Sequence, residues 1–559
     1  NSTLKTWRAI TNSARADYND EVGRVGENAY YSSELNTDFF LNFNPKLNND
    51  FAISVIVGHN FNQRDAQSQG SEVIGLDIPK FYNLSNSSAT PSIYGTLSQR
   101  RLIGVYGNLD VSFKDMLFLN ITGRNDWSST LPANNRSFFY PSISGSFLFS
   151  ELIQNKDVLS YGKLRASFAR TGKDADPYLI YPVLLQTSIT DGYRSLDFPL
   201  AGPVNGFTIS NVIGNDQLQP EISQDFEIGT NLKLFKNLLD IDFTWYNKKI
   251  TALIWTATLP SSTGYTSQTQ NLGEITNKGV ELSLSVTPIR RKNIEWEVFA
   301  NYSKNNNLLK SLISGLDEIV LGGTGGFPFV ARPGYELGLF KGNVPETDPQ
   351  GRIVVNAQGL PVFKAEQEII GSSQNKYRLG GGTSLKIKNF RVHAAFDYRN
   401  GGKMYSRTAE IAYFTGNAQP TTYNDRQPFI IPNSVQLVGG QYIENTTPIA
   451  GFTNNLNLYY NQTYKAGIGD AYALIDKTFF KLRELSISYS FPKSVLKNAF
   501  INSVDLSLVG NNLFLWTPDS NLYTDPELTT FGNDLAADYG EFGATPSTRS
   551  LGFNIKLSF

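Results

Sequence analysis

The chain has 559 residues, of which 49 are basic and 50 acidic, so its net charge is −1, and 13% of its residues are aromatic. This balance argues against a nucleic-acid partner, which would need an excess of basic side chains. Cysteine is absent, which excludes a disulfide framework and a thiolate metal site. No run of about 18 apolar residues occurs, which excludes a helical membrane span.

Apolar and polar residues alternate in many short segments, and a period of two predicts β-strands with one apolar and one polar face. Neighbouring segments are joined by tight turns, such as Lys114-Asp115 and Lys388-Asn389. In chain order, strands are predicted near residues 38–43, 51–57, 105–113, 117–124, 139–149, 164–168, 226–234, 239–243, 280–287, 296–300, 377–387, 390–400, 485–491, 504–508 and 551–559.

The connections between these strands alternate between short and long. The long ones are polar and are predicted at about residues 62–98, 172–220, 311–376, 401–477 and 517–549. A soluble all-β protein has no reason to sort its loops in this way, whereas outer-membrane barrels combine tight periplasmic turns with long extracellular loops. We therefore predict an all-β fold, a transmembrane antiparallel up-and-down β-barrel in the outer membrane of a Gram-negative bacterium, in contact with its lipid.

The last strand alternates without interruption from Leu551 to Phe559 and ends the chain on an aromatic residue. It resembles the closing strand of bacterial outer-membrane barrels, so we interpret Phe559 as a barrel-assembly signal. This assignment places the carboxyl terminus in the periplasm and every long loop outside the cell.

The predicted strand count, about 15, is odd, whereas bacterial single-chain barrels have even numbers. An open sheet would also leave unpaired edges facing lipid. Either further strands come from outside this sequence, or a strand lies undetected within residues 1–30 or 311–376. We expect residues 1–559 to be one incomplete domain, the carboxyl-terminal part of the barrel.

Several segments, in a fixed order from about residue 100 to the end, carry a resemblance to a known family. They are Arg100–Leu109, Gly123–Ser129, Phe139–Ser146, Leu164–Gly172, Asn271–Leu282, Phe480–Pro492 and Val509–Trp516. Together they resemble the SusC/RagA-like TonB-dependent transporters of the outer membrane.

This resemblance implies a barrel of about 22 strands closed by an amino-terminal plug, with the plug and the first strands outside this sequence. It implies energy-coupled import of oligosaccharides or peptides, with the TonB complex acting through the plug. The implied partner is a SusD-like surface lipoprotein, in a dimer of transporter–lipoprotein pairs. The alternatives are a passive porin and a structural barrel of a secretion or surface assembly, and an attached plug would discriminate against both.

No catalytic site, cofactor or metal site is predicted. The sequence lacks the nucleophile-elbow, phosphate-loop and dinucleotide-binding motifs, and His59 and His393 lie on separate strands without a HExxH context. Members of the family usually carry a DxxGDG-like stretch, which here reads Thr347-Asp-Pro-Gln-Gly-Arg352 without the second Asp. We therefore expect no calcium site there.

Two groups of residues are candidates for contact with a substrate. Loop aromatics suit sugar stacking or peptide capture, and equally suit loop packing against a protein lid. Charged residues on the inner wall either guide substrate and anchor the plug or form simple cross-strand ion pairs. The candidates are Tyr178, Tyr181, Tyr193, Tyr405, Tyr413 and Phe414 in the loops and Arg124, Arg165, Asp397 and Arg399 on the wall.

Overall fold

A computed structural model gives the fold. It describes residues 2–11, 23–45, 48–78, 80–186, 189–190, 195–196, 206–313, 315–324, 327–449, 473–496, 500–530, 532 and 535–559. Within these residues, sixteen strands pair in chain order in one sheet. They are β1 Ser2–Thr11, β2 Arg24–Phe43, β3 Phe51–Ile74, β4 Ser92–Phe113, β5 Leu117–Ser128, β6 Ser137–Phe147, β7 Leu159–Lys173, β8 Glu221–Leu234, β9 Leu239–Thr251, β10 Gly273–Arg291, β11 Ile294–Leu312, β12 Tyr377–Ile387, β13 Phe390–Asn400, β14 Phe479–Ser490, β15 Ser503–Trp516 and β16 Ser550–Ser558.

The predicted all-β, antiparallel architecture is confirmed, and fifteen of the sixteen strands in the described part of this sheet coincide with the predicted ones. The additional strand is β1, within the 1–30 segment where a missed strand was one alternative. Its larger apolar residues, Leu4, Trp7 and Ile10, are spaced by three. That spacing does not produce the period of two on which strand prediction depends.

The prediction of a loop over residues 62–98 is wrong, because β3 continues to Ile74 and β4 already begins at Ser92. The two strands have 24 and 22 residues, about twice what a tilted strand needs to cross a bilayer. Residues 62–71 are polar on both faces, so no alternation marks them as a strand. Their main chain nevertheless pairs with β2 on one side and with β4 on the other.

Short and long connections alternate along most of the chain, but not around β6, because eight residues precede this strand and eleven follow it. Short connections follow β4, β8, β10 and β12, with three, four, two and two residues, whereas 17 residues separate β3 from β4. The turns use left-handed backbone: Lys114, Asp115, Asn237 and Lys388 all have positive φ. Such backbone fits tight hairpin turns whose twist matches that of the flanking strands.

The chain divides into two compact units, each with its own packing. The first comprises residues 1–145, 167–224 and 250–272. Its loops contain short strands and a buried cluster of Leu131, Phe138, Ala175 and Leu218. The short strands of these loops lie at Leu184–Gln186, Ile189–Thr190, Ser195–Leu196, Phe207–Ile209, Val212–Ile213, Ile254–Thr258 and Ser267–Asn271, and a 3-10 turn lies at Ser261–Thr263.

In this first unit, Asp174 ties the loop that follows β7 to β4 and β5. Its buried carboxylate accepts hydrogen bonds from Arg100 Nε at 2.8 Å and Arg100 Nη2 at 2.5 Å, and from the hydroxyls of Ser128 and Thr130. Burial alone would raise the pKa of Asp174, but these hydrogen bonds and the guanidinium charge outweigh it and lower the pKa.

The second unit comprises residues 146–166, 225–249 and 273–559, and its long loops fold into small sheets. The only α-helix of the described chain, α1 Arg407–Phe414, begins at the N-cap Ser406, whose side chain accepts from the Ala409 backbone amide. Short strands lie at Ile319–Thr324, Phe327–Ala331, Leu339–Gly342, Ile353–Val355, Glu368–Ser372, Lys403–Ser406, Ser434–Val438, Gln441–Glu444, Leu474–Asp476 and Gly540–Glu541, and 3-10 turns at Phe149–Leu152, Gln419–Arg426 and Leu535–Tyr539.

Two buried clusters fill these loops. One is rich in aromatics and comprises Phe327, Phe329, Phe340, Tyr405, Ala473, Leu474 and Tyr539. The other comprises Val355, Leu360, Tyr413, Ala418, Phe429, Ile431 and Ile449. The loops of this unit are therefore packed structures with cores of their own. Among the described helices, none is both long enough and apolar enough to pass through a membrane.

Candidate functional site

A cavity of about 520 Å³ lies between two long loops of the second unit. One loop joins β13 to β14. The other joins β15 to β16, and we call residues 517–549 the terminal loop. The lining residues are Lys403, Tyr413, Gln419, Pro420, Leu474, Asp519, Ser520, Leu522 and Tyr523. Ligand sites in proteins have volumes of about 300–1,000 Å³, so this cavity is large enough for a small molecule or one unit of an oligomer.

Two tyrosines form the aromatic side of the cavity. The rings of Tyr413 and Tyr523 meet edge to face with centroids 6.1 Å apart. Tyr413 is buried in the last turn of α1. Tyr523 is partly buried and packs against the cluster that contains Tyr413 and against a second buried cluster of Met404, Ala409 and Ile475. Edge-to-face packing stabilises such a pair by about 1 kcal/mol beyond area burial, so the rings have defined positions.

The polar side of the cavity contains both signs of charge. Lys403 Nζ lies 3.6 Å from the Asp476 carboxylate, which neutralises it in part. Asp519, Ser520 and Gln419 are exposed at the rim. Within the described part of the chain, no hydrogen bond or ion pair involves the Asp519 carboxylate, so it is available to a ligand.

Asn521 fixes the terminal loop beside the cavity. This residue is fully buried, and its Nδ2 donates to the Asp476 backbone oxygen at 3.2 Å. Its own backbone oxygen accepts from Thr517 Oγ1 at 2.6 Å. Since a buried amide without a partner is costly, these bonds specify where residues 519–523 lie.

A network of ion pairs anchors the terminal loop to β13 and β14. Lys481 is 4% exposed, and its Nζ lies 2.7 Å from each carboxylate oxygen of Asp525 and also donates to Glu527. Arg483 Nη2 donates to Glu527 at 2.6 Å and to Asp397 at 2.5 Å. Burial by itself would raise the pKa of Glu527, but the hydrogen bonds from Arg483 and Lys481 outweigh it and hold the pKa at about 2.

The cations of this network surround one ring. This ring is the buried side chain of Phe479. The distances from its centroid to the charged groups are 4.7 Å for Arg399, 5.0 Å for Lys481 and 5.4 Å for Arg483. Arg399 Nη2 also donates to the Pro526 backbone oxygen at 2.7 Å. Cations over an aromatic face are favourable, and more so when they are desolvated. We call Asp397, Arg399, Lys481, Arg483, Asp525 and Glu527 the loop anchor.

The comparisons with known proteins agree with this fold. The family described as "TonB dependent receptor-like, beta-barrel" matches residues 2–513. The chain belongs to this family. It is accordingly an outer-membrane β-barrel protein of a Gram-negative bacterium, as the strand pattern predicted.

Curated relatives match at low identity over most of the chain. "TonB-dependent receptor P26" of Formosa agariphila is 25% identical over 97% of this chain and 55% of the relative. "TonB-dependent receptor SusC" of Bacteroides thetaiotaomicron is 22% identical over 82% of this chain and 48% of the relative. The chain therefore spans about half the length of these relatives, both of which are named as TonB-dependent receptors.

Solved structures agree on the fold. The "Structure of the RagAB peptide transporter" matches 100% of this chain and 59% of that chain, with 20% identity and a TM-score of 0.76. The RagAB peptide importer in its "open-open" state matches with a TM-score of 0.75. The predicted resemblance to SusC/RagA-like transporters is confirmed.

Three of the predicted contact residues lie at the cavity or in the loop anchor. Tyr413 lines the cavity, and Asp397 and Arg399 belong to the anchor. Phe414 follows Tyr413 on α1 and is exposed. Tyr405 is buried in the cluster around Tyr539, where its hydroxyl donates to Glu410 and burial is the largest cause of a raised pKa.

Two other predicted loop residues, Tyr178 and Tyr181, lie in the first unit. Tyr178 has a left-handed backbone with φ of 66°, and its hydroxyl accepts from the Gln99 backbone amide at 3.0 Å. Tyr181 is exposed, with 67% of its surface accessible. Tyr193 lies outside the described residues. A role of these residues in substrate contact remains a prediction.

The predicted wall arginines are held by their neighbours. Arg124 Nε donates to Asp126 at 2.8 Å. In the second unit, Arg165 Nη2 donates to Asp242 at 2.7 Å.

Phe559 is exposed, and its ring stacks on Phe500 with centroids 5.5 Å apart. Its role as an assembly signal also remains a prediction.

The stretch at Thr347–Arg352 forms a compact turn. Asp348 accepts from the backbone amides of Gln350 at 3.0 Å and Arg352 at 2.8 Å, and from Arg352 Nε at 2.7 Å. These bonds hold the pKa of Asp348 down against the effect of burial. Across the described residues, no group of three or more His, Asp or Glu side chains forms a metal cluster.

Several residues of the site were not predicted from the sequence: Asp519 and Tyr523 of the cavity, Asn521 beside it, and Lys481, Arg483, Asp525 and Glu527 of the loop anchor. Lys481 and Arg483 alternate with Phe480 and Leu482, so the period of two could have placed both on the polar face. The terminal-loop residues carry no periodic signal. Only the folded loop brings them to β14.

Proposed function

We propose that this chain is the barrel part of an energy-coupled importer that carries oligosaccharides or peptides across the outer membrane together with a SusD-like surface lipoprotein. The observation that carries the proposal is the match to the TonB-dependent receptor barrel over residues 2–513. Relatives named SusC and RagAB, the latter titled a peptide transporter, support it. Transport would proceed by binding and gated passage, without covalent chemistry.

The arrangement of the loops supports the same proposal. The long loops of the second unit fold into packed structures with a cavity between them, on the side of the sheet opposite the tight turns. We propose that this side is extracellular and that the carboxyl terminus is periplasmic. A surface lipoprotein would then meet the loops, and the TonB complex would act from the periplasm through a plug.

Native outer membranes provide the test. The protein would be isolated through an affinity tag in mild detergent, and the intact mass of every associated polypeptide measured. The proposal expects a chain well above 62.1 kDa and a lipid-modified companion in equal amount. A chain of 62.1 kDa without a companion would contradict it.

A further inference from the structure

We propose that the cavity between α1 and the terminal loop binds one unit of an uncharged saccharide, an assignment that rests on the proposed import function. Its polar groups belong to two separate loops and converge on one space of about 520 Å³. A few convergent polar groups beside aromatic rings in a cavity of this size are the usual composition of a ligand site.

The hydrogen-bonding capacity of the lining selects the ligand class. Asp519 is an acceptor only, while Gln419, Ser520 and Tyr523 can both donate and accept. A hydroxyl group can donate to Asp519 and also accept from its neighbours. The matching ligand therefore carries several hydroxyls at once, as a sugar ring does.

Charge argues against the acidic alternatives. Lys403 is partly neutralised by Asp476, whereas no ion pair among the described residues involves the Asp519 carboxylate. A uronic acid or the carboxyl end of a peptide would meet this negative charge and lose affinity. An ammonium group has donors only, so it could bind Asp519 but would leave the donor groups of Gln419, Ser520 and Tyr523 unused.

The aromatic side fits the same ligand. Tyr523 is held by Tyr413 and by two buried clusters, so its accessible ring surface has a fixed orientation. The C–H face of a sugar ring can lie against such a surface while its hydroxyls reach the rim. Asn521 and the loop anchor keep the cavity wall in place before a ligand arrives. This preorganisation lowers the entropy cost of binding.

The test uses the whole transporter with any companion, purified from native membranes. Neutral gluco-, xylo-, manno-, galacto- and fructo-hexasaccharides, an oligogalacturonate hexamer and a neutral hexapeptide serve as probes in titration calorimetry. At least one neutral hexasaccharide is expected to bind more tightly than the acidic hexamer and the peptide. Y523A and D519N should weaken its binding at least tenfold, whereas the exposed-site controls Y442A and D176N should change it less than twofold.

Three results would overturn the proposal. The first is that neutral hexasaccharides bind but Y523A and D519N do not weaken their binding. The second is that the acidic hexamer or the peptide binds more tightly than every neutral hexasaccharide. The third is that no neutral hexasaccharide binds. A cellular assay separates these results from failure of the import function. If deletion of the gene abolishes uptake of a nutrient but the two cavity variants leave it unchanged, the cavity assignment fails and the import proposal stands. If deletion leaves uptake of every nutrient unchanged, the import proposal itself fails.

Discussion

The ammonium group of Lys481 on β14 lies 2.7 Å from both carboxylate oxygens of Asp525 in the terminal loop, and both side chains are almost fully buried. This ion pair joins residues that are 44 positions apart in the sequence. It places the terminal loop against the sheet, next to the residues that line the cavity.

Removing one partner of this pair should release the terminal loop. K481M leaves the buried Asp525 without its cation and removes one of the two cations beside Glu527, and loss of one partner of a buried ion pair costs about 3–5 kcal/mol. Limited proteolysis of the whole protein should therefore show new cleavage within residues 517–549.

The matched variant is K481M/D525L, which replaces the pair by apolar side chains and should restore part of the protection, because an uncompensated buried charge is then avoided. Equal cleavage of the wild type and K481M would contradict the role of the pair as an anchor.

The pH dependence of the anchor follows from Glu527, whose pKa is about 2 in the folded protein and 4.5 ordinarily. A carboxyl with a lowered pKa contributes stability that is present above its ordinary pKa and is lost as the pH falls through the folded value. Arg483 and Lys481 lower the pKa against the effect of burial, and the carboxylates of Asp525 and Asp397 are the other charged partners of these two cations.

We therefore expect the terminal loop to resist pepsin at pH 4 and to become sensitive near pH 2. E527Q should be sensitive at both pH values, whereas the exposed-site control E444Q should behave as the wild type. If pepsin already cleaves the wild-type loop completely at pH 4, the result would argue against a lowered pKa of Glu527.

A comparable anchor holds the loop after β7 in the first unit. D174A removes the carboxylate that pairs with Arg100 and accepts from Ser128 and Thr130, and should cost about 3 kcal/mol. Hydrogen exchange of residues 174–186 should accelerate in D174A. D174N keeps an acceptor but loses the charge, so its effect should be smaller, and an effect of D174A confined to other loops would refute the assignment.

The orientation of the chain can be read by labelling, because the sequence has no cysteine. T90C lies in the connection between β3 and β4, and D115C in the tight turn between β4 and β5. A membrane-impermeant maleimide should label T90C in intact cells and D115C only after the outer membrane is broken. The reverse pattern would invert the proposed topology.

The sequence was sufficient for those parts of the fold that depend on a period of two. β4 and β5 contain Leu109, Val111, Leu119 and Ile121 at alternate positions, and the predicted strands coincide with the observed ones there. The part of β3 after residue 61 was missed because its residues are polar on both faces. It is held by main-chain pairing and by cross-strand polar contacts such as that of Arg64 with Glu34, and neither produces a period of two.

The candidate site was predictable only in part. Tyr413, Asp397 and Arg399 were found from residue type and strand face, without their partners. Asp519 and Asp525 belong to a loop without periodicity, and their positions depend on tertiary contacts with residues such as Lys481. Tyr405 illustrates a different difficulty. The sequence predicted it as a loop tyrosine that could contact substrate, but in the structure it is buried in a cluster of aromatic residues.

Uptake by intact cells tests the central claim most directly. Cells with and without the gene would grow on single oligosaccharides or peptides, and uptake of the labelled nutrient would be measured before and after a protonophore collapses the proton gradient. We predict that uptake of at least one nutrient requires the gene and stops when the gradient is lost. Gene-dependent uptake that continues without the gradient would contradict energy-coupled import and would favour a passive pore.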